Sequence, residues 1–146
     1  MISQKEYNEW FKEMLSRFPL NHKYKITEES YEEELCLNAT IFHPNDEEKN
    51  IVISTYGKEL TLSFWKHHEH HDSFEDDDHE NEFIELSNYI DDIINDKVFF
   101  AVGYRGEKIA YGTASGDGTD LLDDKVDKIE IKTWSGNQDK TIIKNG

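Results

Sequence analysis

Four histidines fall within five residues near the middle of the chain, at His67, His68, His70 and His71. Imidazole nitrogens bind zinc and similar cations, and short histidine-rich tracts occur in metal sites. On a strand that continues through this stretch, alternation places His68 and His70 on one face and His67, Glu69 and His71 on the other. Each face would then offer an imidazole pair, or an imidazole and a carboxylate, to a metal ion.

One candidate metal set is His68, His70 and Asp72, which spell H-x-H-x-D. This spacing resembles the opening of the metallo-β-lactamase motif. Ser73 stands where that motif requires another histidine, and 146 residues are too few for that fold, so we exclude the family. A generic metal-binding domain, or a metal-dependent enzyme that uses residues 67–71, stays as the alternative function.

The same stretch has the composition of a protein-binding surface. A tryptophan precedes the histidines and a dense run of carboxylates follows them. Aromatic side chains dominate the hot spots of interfaces, and acidic surroundings accelerate encounter with a cationic partner. A solvated strand end and loop would explain the same residues without a function. For the binding interpretation, we expect partner contacts from Trp65, His67, His68, His70, Asp72, Glu75, Asp76, Asp77 and Asp78.

The net charge indicates what kind of partner is favoured. The chain has 16 Lys and Arg against 32 Asp and Glu, a formal charge of −16 at pH 7. Such a charge repels phosphate backbones, which disfavours direct nucleic-acid binding, and attracts basic proteins or metal cations. Two further acidic patches, at residues 28–34 and 46–48, are expected to be solvated and would widen an acidic binding face.

Motifs for catalysis and cofactor binding are missing from the sequence. Cys36 is the only cysteine and lies in an apolar stretch, which predicts a buried structural thiol rather than a nucleophile. No P-loop, G-x-G-x-x-G or G-x-S-x-G occurs. The segment 117–124 does not fit the EF-hand pattern. We therefore expect neither enzymatic activity nor a cofactor.

The first half of the chain reads as one helix followed by three strands. Ser3 and Glu6 have the spacing of a capping box, and apolar residues recur every three or four positions, which predicts a helix over 3–16. Alternating apolar residues predict strands over 34–42, 50–56 and 60–70, joined by short connections into an antiparallel meander.

The second half reads as a helix and more strands. We expect the helix over 80–96 and strands over 98–104, 107–114 and 128–134, with a last short run at 141–144. The order α-β-β-β-α-β-β-β predicts an α+β fold in which one antiparallel sheet carries helices on one face. We expect a single domain over 1–146.

The N-terminus has no cationic leader followed by an apolar run, and no stretch approaches the length of a membrane span. With one cysteine and no expected disulfide, a cytoplasmic protein without membrane contact is the simplest interpretation.

The stretch 56–70, YGKELTLSFWKHHEH, and the order of elements around it resemble small immunity proteins of bacterial polymorphic toxin systems. In several such families, an antiparallel strand ending in an aromatic and histidine segment precedes acidic residues and a helix. The resemblance covers roughly residues 50–100 and implies a cytoplasmic protein that binds and blocks a basic toxin domain, often a nuclease. It identifies no defined set of inhibitory residues.

Overall fold

A computed structural model describes residues 2–71, 79–114 and 126–143. It confirms the α+β class, with a helix first, then a five-stranded antiparallel sheet, a second helix and a second antiparallel sheet. The chain divides into two compact units, Met1–Tyr89 and Ile90–Gly146. The elements are, in chain order, α1 (Gln4–Arg17), β1 (Lys25–Tyr31), β2 (Glu34–Ile41), β3 (Ile51–Ser54), β4 (Thr61–Phe64), β5 (His67–His70), α2 (His79–Ile94), β6 (Phe100–Arg105), β7 (Lys108–Ala114), β8 (Lys128–Lys132) and β9 (Lys140–Ile143).

Helix α1 begins where the sequence predicts. The Ser3 hydroxyl accepts a hydrogen bond from the Glu6 amide at 3.1 Å, and the Glu6 carboxylate accepts one from the Ser3 amide at 3.5 Å. This reciprocal capping box satisfies two amides that a helix start would otherwise leave unpaired. One stripe of α1 is buried against the sheet, and it includes Tyr7, Phe11, Met14 and Leu15.

The first sheet is a meander in the order β1-β2-β3-β4-β5, with each strand antiparallel to its neighbours. Its core face carries the buried residues that alternate along β2, β3 and β4. Phe83 of α2 packs edge-on against Trp10 and Phe11 of α1 in the same core. The buried sheet residues are Leu37, Ala39, Ile41, Ile51, Ile53, Leu62 and Phe64.

Two features of this sheet differ from the prediction. Strand β1 (Lys25–Tyr31) is not predicted, because all seven residues are exposed and leave no alternation of apolar and polar residues. The prediction of a single strand over 60–70 is wrong as well. The chain turns back at Trp65 and Lys66, and β5 pairs with β4 in the register Phe64 with His67 and Thr61 with His70. Trp65 adopts a left-handed backbone at φ 55°, which makes this reversal possible.

The strands of the second unit form a separate sheet in the order β7-β6-β8-β9. The prediction of one sheet is therefore wrong, because the strands are divided between two sheets. Gly106 and Glu107 form the turn between β6 and β7, which closes on the pair Arg105 and Lys108, and Gly106 has a φ of 64° that suits glycine. Ala101, Val126, Ile129 and Ile131 form a buried cluster on this sheet. Within the described residues, no helix is both long and apolar enough to span a bilayer.

Candidate functional site

The histidine-rich strand β5 lies at one edge of the first sheet, and its side chains alternate between two faces as the sequence predicts. His67 and Glu69 are half-buried on the inner face, whereas His68 and His70 are exposed on the outer face. Trp65 is half-buried at the turn that precedes β5, with the Lys66 ammonium 5.5 Å from its ring centroid.

On the inner face, two histidines converge on one carboxylate. His67 Nε2 lies 3.3 Å from Glu69 Oε2, and His71 Nε2 lies 3.1 Å from Glu69 Oε1. The His71 contact is short but poorly aligned, and neither atom has another hydrogen-bond partner among the described residues. It acts as an ion pair when the imidazole carries its second proton. The His71 ring also packs against Tyr89 of α2, with centroids 5.5 Å apart.

These contacts determine the ionisation of Glu69. Burial of the carboxyl raises its pKa, but the hydrogen bond to His67, the polar groups of His71 and Tyr89 beside it, and then the charge of His71, lower it by more. The pKa of Glu69 therefore lies far below its ordinary value of 4.5, and the group is a carboxylate over the whole physiological range. Oε2 is hydrogen-bonded to His67, and Oε1 lies beside the His71 ring that packs against Tyr89, so this cluster ties β5 to α2.

The contacts on the outer face are more exposed to solvent than those on the inner face. His70 Nδ1 lies 2.8 Å from Glu59 Oε1 and 3.0 Å from Thr61 Oγ1, and its ring stands 5.7 Å from that of His68. Among the described residues, no three or more His, Cys, Asp or Glu side chains are grouped so that they could hold a metal ion.

The remaining residues of the predicted contact set, Asp72, Glu75, Asp76, Asp77 and Asp78, lie outside the described residues. The structure thus leaves the metal set His68, His70 and Asp72 untested, because its third member is among them. Trp65, His67, His68 and His70 are brought together on one short hairpin, but His67 is engaged with Glu69 rather than presented to a partner.

A second surface, at the opposite edge of the same sheet, has stronger features of an interaction site. Strands β1 and β2 form a hairpin whose turn is Glu32 and Glu33, and five glutamates lie between positions 28 and 34. We call this surface the acidic hairpin. Its residues, all exposed, are Glu28, Glu29, Tyr31, Glu32, Glu33, Glu34, Leu35 and Tyr56.

The acidic hairpin combines its charge with exposed apolar area. Tyr31 and Tyr56 pack edge to face with ring centroids 4.5 Å apart, yet they remain 50% and 44% exposed. The pKa of the Tyr56 hydroxyl is raised, first by partial desolvation and then by the charge of Glu32. Beside the pair, Leu35 is 45% exposed and lines a cleft of about 390 Å³ with the first turn of α1.

Most of the negative charge of the acidic hairpin has no partner among the lysine, arginine and histidine side chains that the structure describes. Glu29 accepts a hydrogen bond from the Asn38 amide at 2.9 Å, but no described lysine, arginine or histidine forms an ion pair with Glu28, Glu32 or Glu33. These carboxylates are therefore solvated in the isolated chain and available to a cation from outside.

A buried polar network anchors the acidic hairpin to α1. The Gln4 amide donates to the Thr55 carbonyl at 2.8 Å, and the Asn8 amide donates to the Leu35 carbonyl at 2.6 Å. The Thr55 hydroxyl donates to Asn8 Oδ1 at 2.7 Å and accepts from the Leu37 amide at 2.9 Å. Because these groups satisfy one another, the wall of the cleft has a defined shape.

Sequence patterns alone do not identify Tyr31, Leu35 and Tyr56 as surface residues. The only available signal is Tyr31 itself, an aromatic residue within a run of glutamates. The chain matches no protein-family model, no curated protein and no solved structure at the level of significance required, so the function is inferred from its own geometry.

Proposed function

We propose that this protein is a binding module for a basic protein and that the acidic hairpin is its contact surface. The observation that carries the proposal is the joint exposure of Tyr31 and Tyr56 among glutamates that no described cation neutralises. Solvation alone would account for the glutamates. It does not account for two tyrosines and a leucine that stay about half exposed beside them.

The two kinds of side chain have separate roles in binding. Clustered carboxylates steer a cationic partner to the surface and raise the association rate above the neutral range of about 10⁵–10⁶ M⁻¹s⁻¹. Tyrosines supply large contact area with little loss of side-chain freedom, so they slow dissociation. The cleft beside Leu35 has room for one side chain of the partner, and its wall groups Gln4 and Asn8 are already hydrogen-bonded, whereas Lys5 and Glu34 at the same cleft are charged.

The resemblance of residues 56–70 to immunity proteins of polymorphic toxin systems makes the proposal more specific. Tyr56 belongs both to that stretch and to the acidic hairpin. A nuclease toxin must hold polyphosphate and therefore has a positive active-site face, which an acidic protein can cover. We therefore propose an immunity-type function in which the chain neutralises a basic toxin domain by direct contact and has no turnover of its own.

Charge reversal tests the proposed surface. The variant Glu28→Lys/Glu29→Lys/Glu32→Lys is compared with Glu13→Lys/Glu47→Lys/Glu48→Lys, which changes the net charge equally at exposed positions elsewhere. Partners are captured from the native host, identified, purified and measured by biolayer interferometry at two salt concentrations.

We expect the captured partner to be basic and its association rate to fall with salt. We expect the hairpin variant to bind at least about 100-fold more weakly, since loss of two or more charge contacts costs a few kcal/mol, and the control to stay within about threefold. Equal binding by both variants, or an acidic partner, would overturn the proposal. If the partner is toxic to cells, co-expression with each variant tests the immunity-type function directly.

A further inference from the structure

Strand β1 (Lys25–Tyr31) is an open edge of the first sheet. It pairs with β2 on one side, and no described strand pairs with its other side. All seven of its residues are exposed. An edge of this kind presents a row of backbone N–H and C=O groups that can accept one more strand.

The hairpin geometry identifies which backbone groups face outward. The two-residue turn closes on the pair Tyr31 and Glu34, and such a turn closes on a hydrogen-bonded pair. Because hydrogen-bonded and outward-facing residues alternate along an antiparallel strand, Tyr31 and Glu29 direct their backbone groups toward β2. The amides and carbonyls of Ile26, Glu28 and Ser30 therefore face the open edge.

The side chains along this edge form a symmetric pattern. Glu28 and Glu29 are adjacent, so one carboxylate lies on each face of the sheet. Ile26 lies two residues before Glu28 on its face, and Tyr31 lies two residues after Glu29 on the other face. Ile26 is 36% exposed and Tyr31 is 50% exposed, so both apolar side chains are available for contact.

Protection against self-association explains only part of this pattern. Charged residues on edge strands prevent pairing between copies, and a second copy of β1 would bring Glu28 and Glu29 against like charges. Protection does not require exposed apolar residues on either side of the charges. A cationic strand from another protein would meet favourable contacts at all four positions.

We infer that the basic partner adds an extended segment to β1, with the pattern apolar, any residue, basic, basic, any residue, apolar. This inference rests on the proposed function and specifies the partner's contact segment. The two basic residues lie opposite Glu28 and Glu29, and the apolar residues lie opposite Ile26 and Tyr31. The pattern reads the same in both directions, so it serves parallel and antiparallel addition alike.

Synthetic peptides and the wild-type chain provide the test. The matched peptide has the core Val-Thr-Lys-Arg-Thr-Tyr, and the charge-swapped peptide has two glutamates in place of Lys-Arg. Two further peptides carry N-methyl groups on alternate amides, one on the odd and one on the even positions. Binding is followed by NMR titration, and amide hydrogen exchange is measured with and without the matched peptide.

Strand addition predicts three results. The matched peptide binds at least tenfold more tightly than the charge-swapped one. The two methylated peptides differ in affinity by more than tenfold, because only one parity of amides faces β1. The amides of Ile26, Glu28 and Ser30 gain protection from exchange on binding.

Other outcomes separate this inference from the proposed function. If the two methylated peptides bind equally, or Ile26, Glu28 and Ser30 gain no protection, strand addition is wrong. If the full partner still loses affinity for the charge-reversed hairpin, the proposed binding function stands without it. If the matched peptide binds no better than the charge-swapped one, the inferred pattern of the segment is wrong.

Discussion

The two edges of the five-stranded sheet differ in how their carboxylates are surrounded. At the β5 edge, Glu69 is half-buried and is enclosed by His67, His71 and Tyr89. At the β1 edge, Glu28 is exposed and forms no ion pair with a described cation. The half-buried members of the histidine cluster thus contact each other, whereas the glutamates at the β1 edge are solvated.

This contrast shows that residue type alone does not determine whether a carboxylate is enclosed or solvated. A carboxylate enclosed by donors contributes to folding stability, whereas a solvated carboxylate contributes little to stability and remains available for binding. The two edges should therefore respond to the same substitution in opposite ways, with stability changing at β5 and affinity at β1.

Replacement of Glu69 gives the largest expected change in stability. Glu69→Gln removes the charge and puts an amide N–H group in front of imidazole donors. We expect it to lower the free energy of unfolding by about 2 kcal/mol at pH 7, in the range for a hydrogen-bonded group that is partly buried and charged. Urea unfolding followed by circular dichroism measures the change.

The matched control is Glu29→Gln on β1, the same substitution at the other edge. Because Glu29 is exposed and accepts one hydrogen bond from Asn38, we expect a change within about 0.5 kcal/mol. Equal losses at the two edges would contradict the distinction between an enclosed and a solvated carboxylate.

Acid titration sharpens the same comparison. The pKa of Glu69 is lowered in the folded chain, so below about pH 4.5 the unfolded chain binds a proton that the folded chain does not. The stability from Glu69 is therefore full above this pH and is lost as the pH falls, at a rate of up to about 1.4 kcal/mol per pH unit.

Unfolding measured at pH 5, 4 and 3 in wild type and Glu69→Gln isolates this contribution, since the other carboxyl groups titrate in both proteins. We expect the difference between the two proteins to shrink as the pH falls. A constant difference would mean that the pKa of Glu69 is not lowered by folding.

The smallest expected change lies in the turn of the acidic hairpin. Glu32 and Glu33 have φ angles of 49° and 70°, a left-handed conformation that favours asparagine and glycine over residues with long side chains. We expect Glu32→Asn/Glu33→Gly to raise the free energy of unfolding by about 1 kcal/mol. Thermal unfolding of Glu32→Gln/Glu33→Gln serves as the control, because it removes the charges and keeps the strain. An equal gain in both variants would assign the effect to charge repulsion.

The sequence predicts most elements of the fold because their signals are local. The capping box of Ser3 and Glu6 locates the start of α1, and alternation locates β2 and β3 within a few residues. Strand β1 is missed because an edge strand exposed on both faces has no apolar period. The reversal at Trp65 is missed because this left-handed position is occupied by tryptophan, whereas glycine or asparagine would have indicated a turn.

The candidate site is less predictable, because it depends on contacts between distant segments. Gln4 and Thr55 are 51 positions apart, and a buried glutamine looks the same in sequence as a solvated one. The pairing of Tyr31 with Tyr56 arises only once β1 exists. The alternation of His67, His68, Glu69 and His70 is predicted correctly, but the enclosure of Glu69 requires Tyr89 from α2.

Cys36 pairs with Glu29 in the β1–β2 register, so its thiol can report on opening of the acidic hairpin. The residue is 4% exposed, and burial followed by the charges of Glu34 and Glu29 raises the pKa of the thiol. An alkylating reagent can reach this sulfur only during transient local opening of the hairpin. The chain therefore carries a native kinetic probe, and a ligand that clamps the hairpin shut should slow its alkylation without any label being introduced.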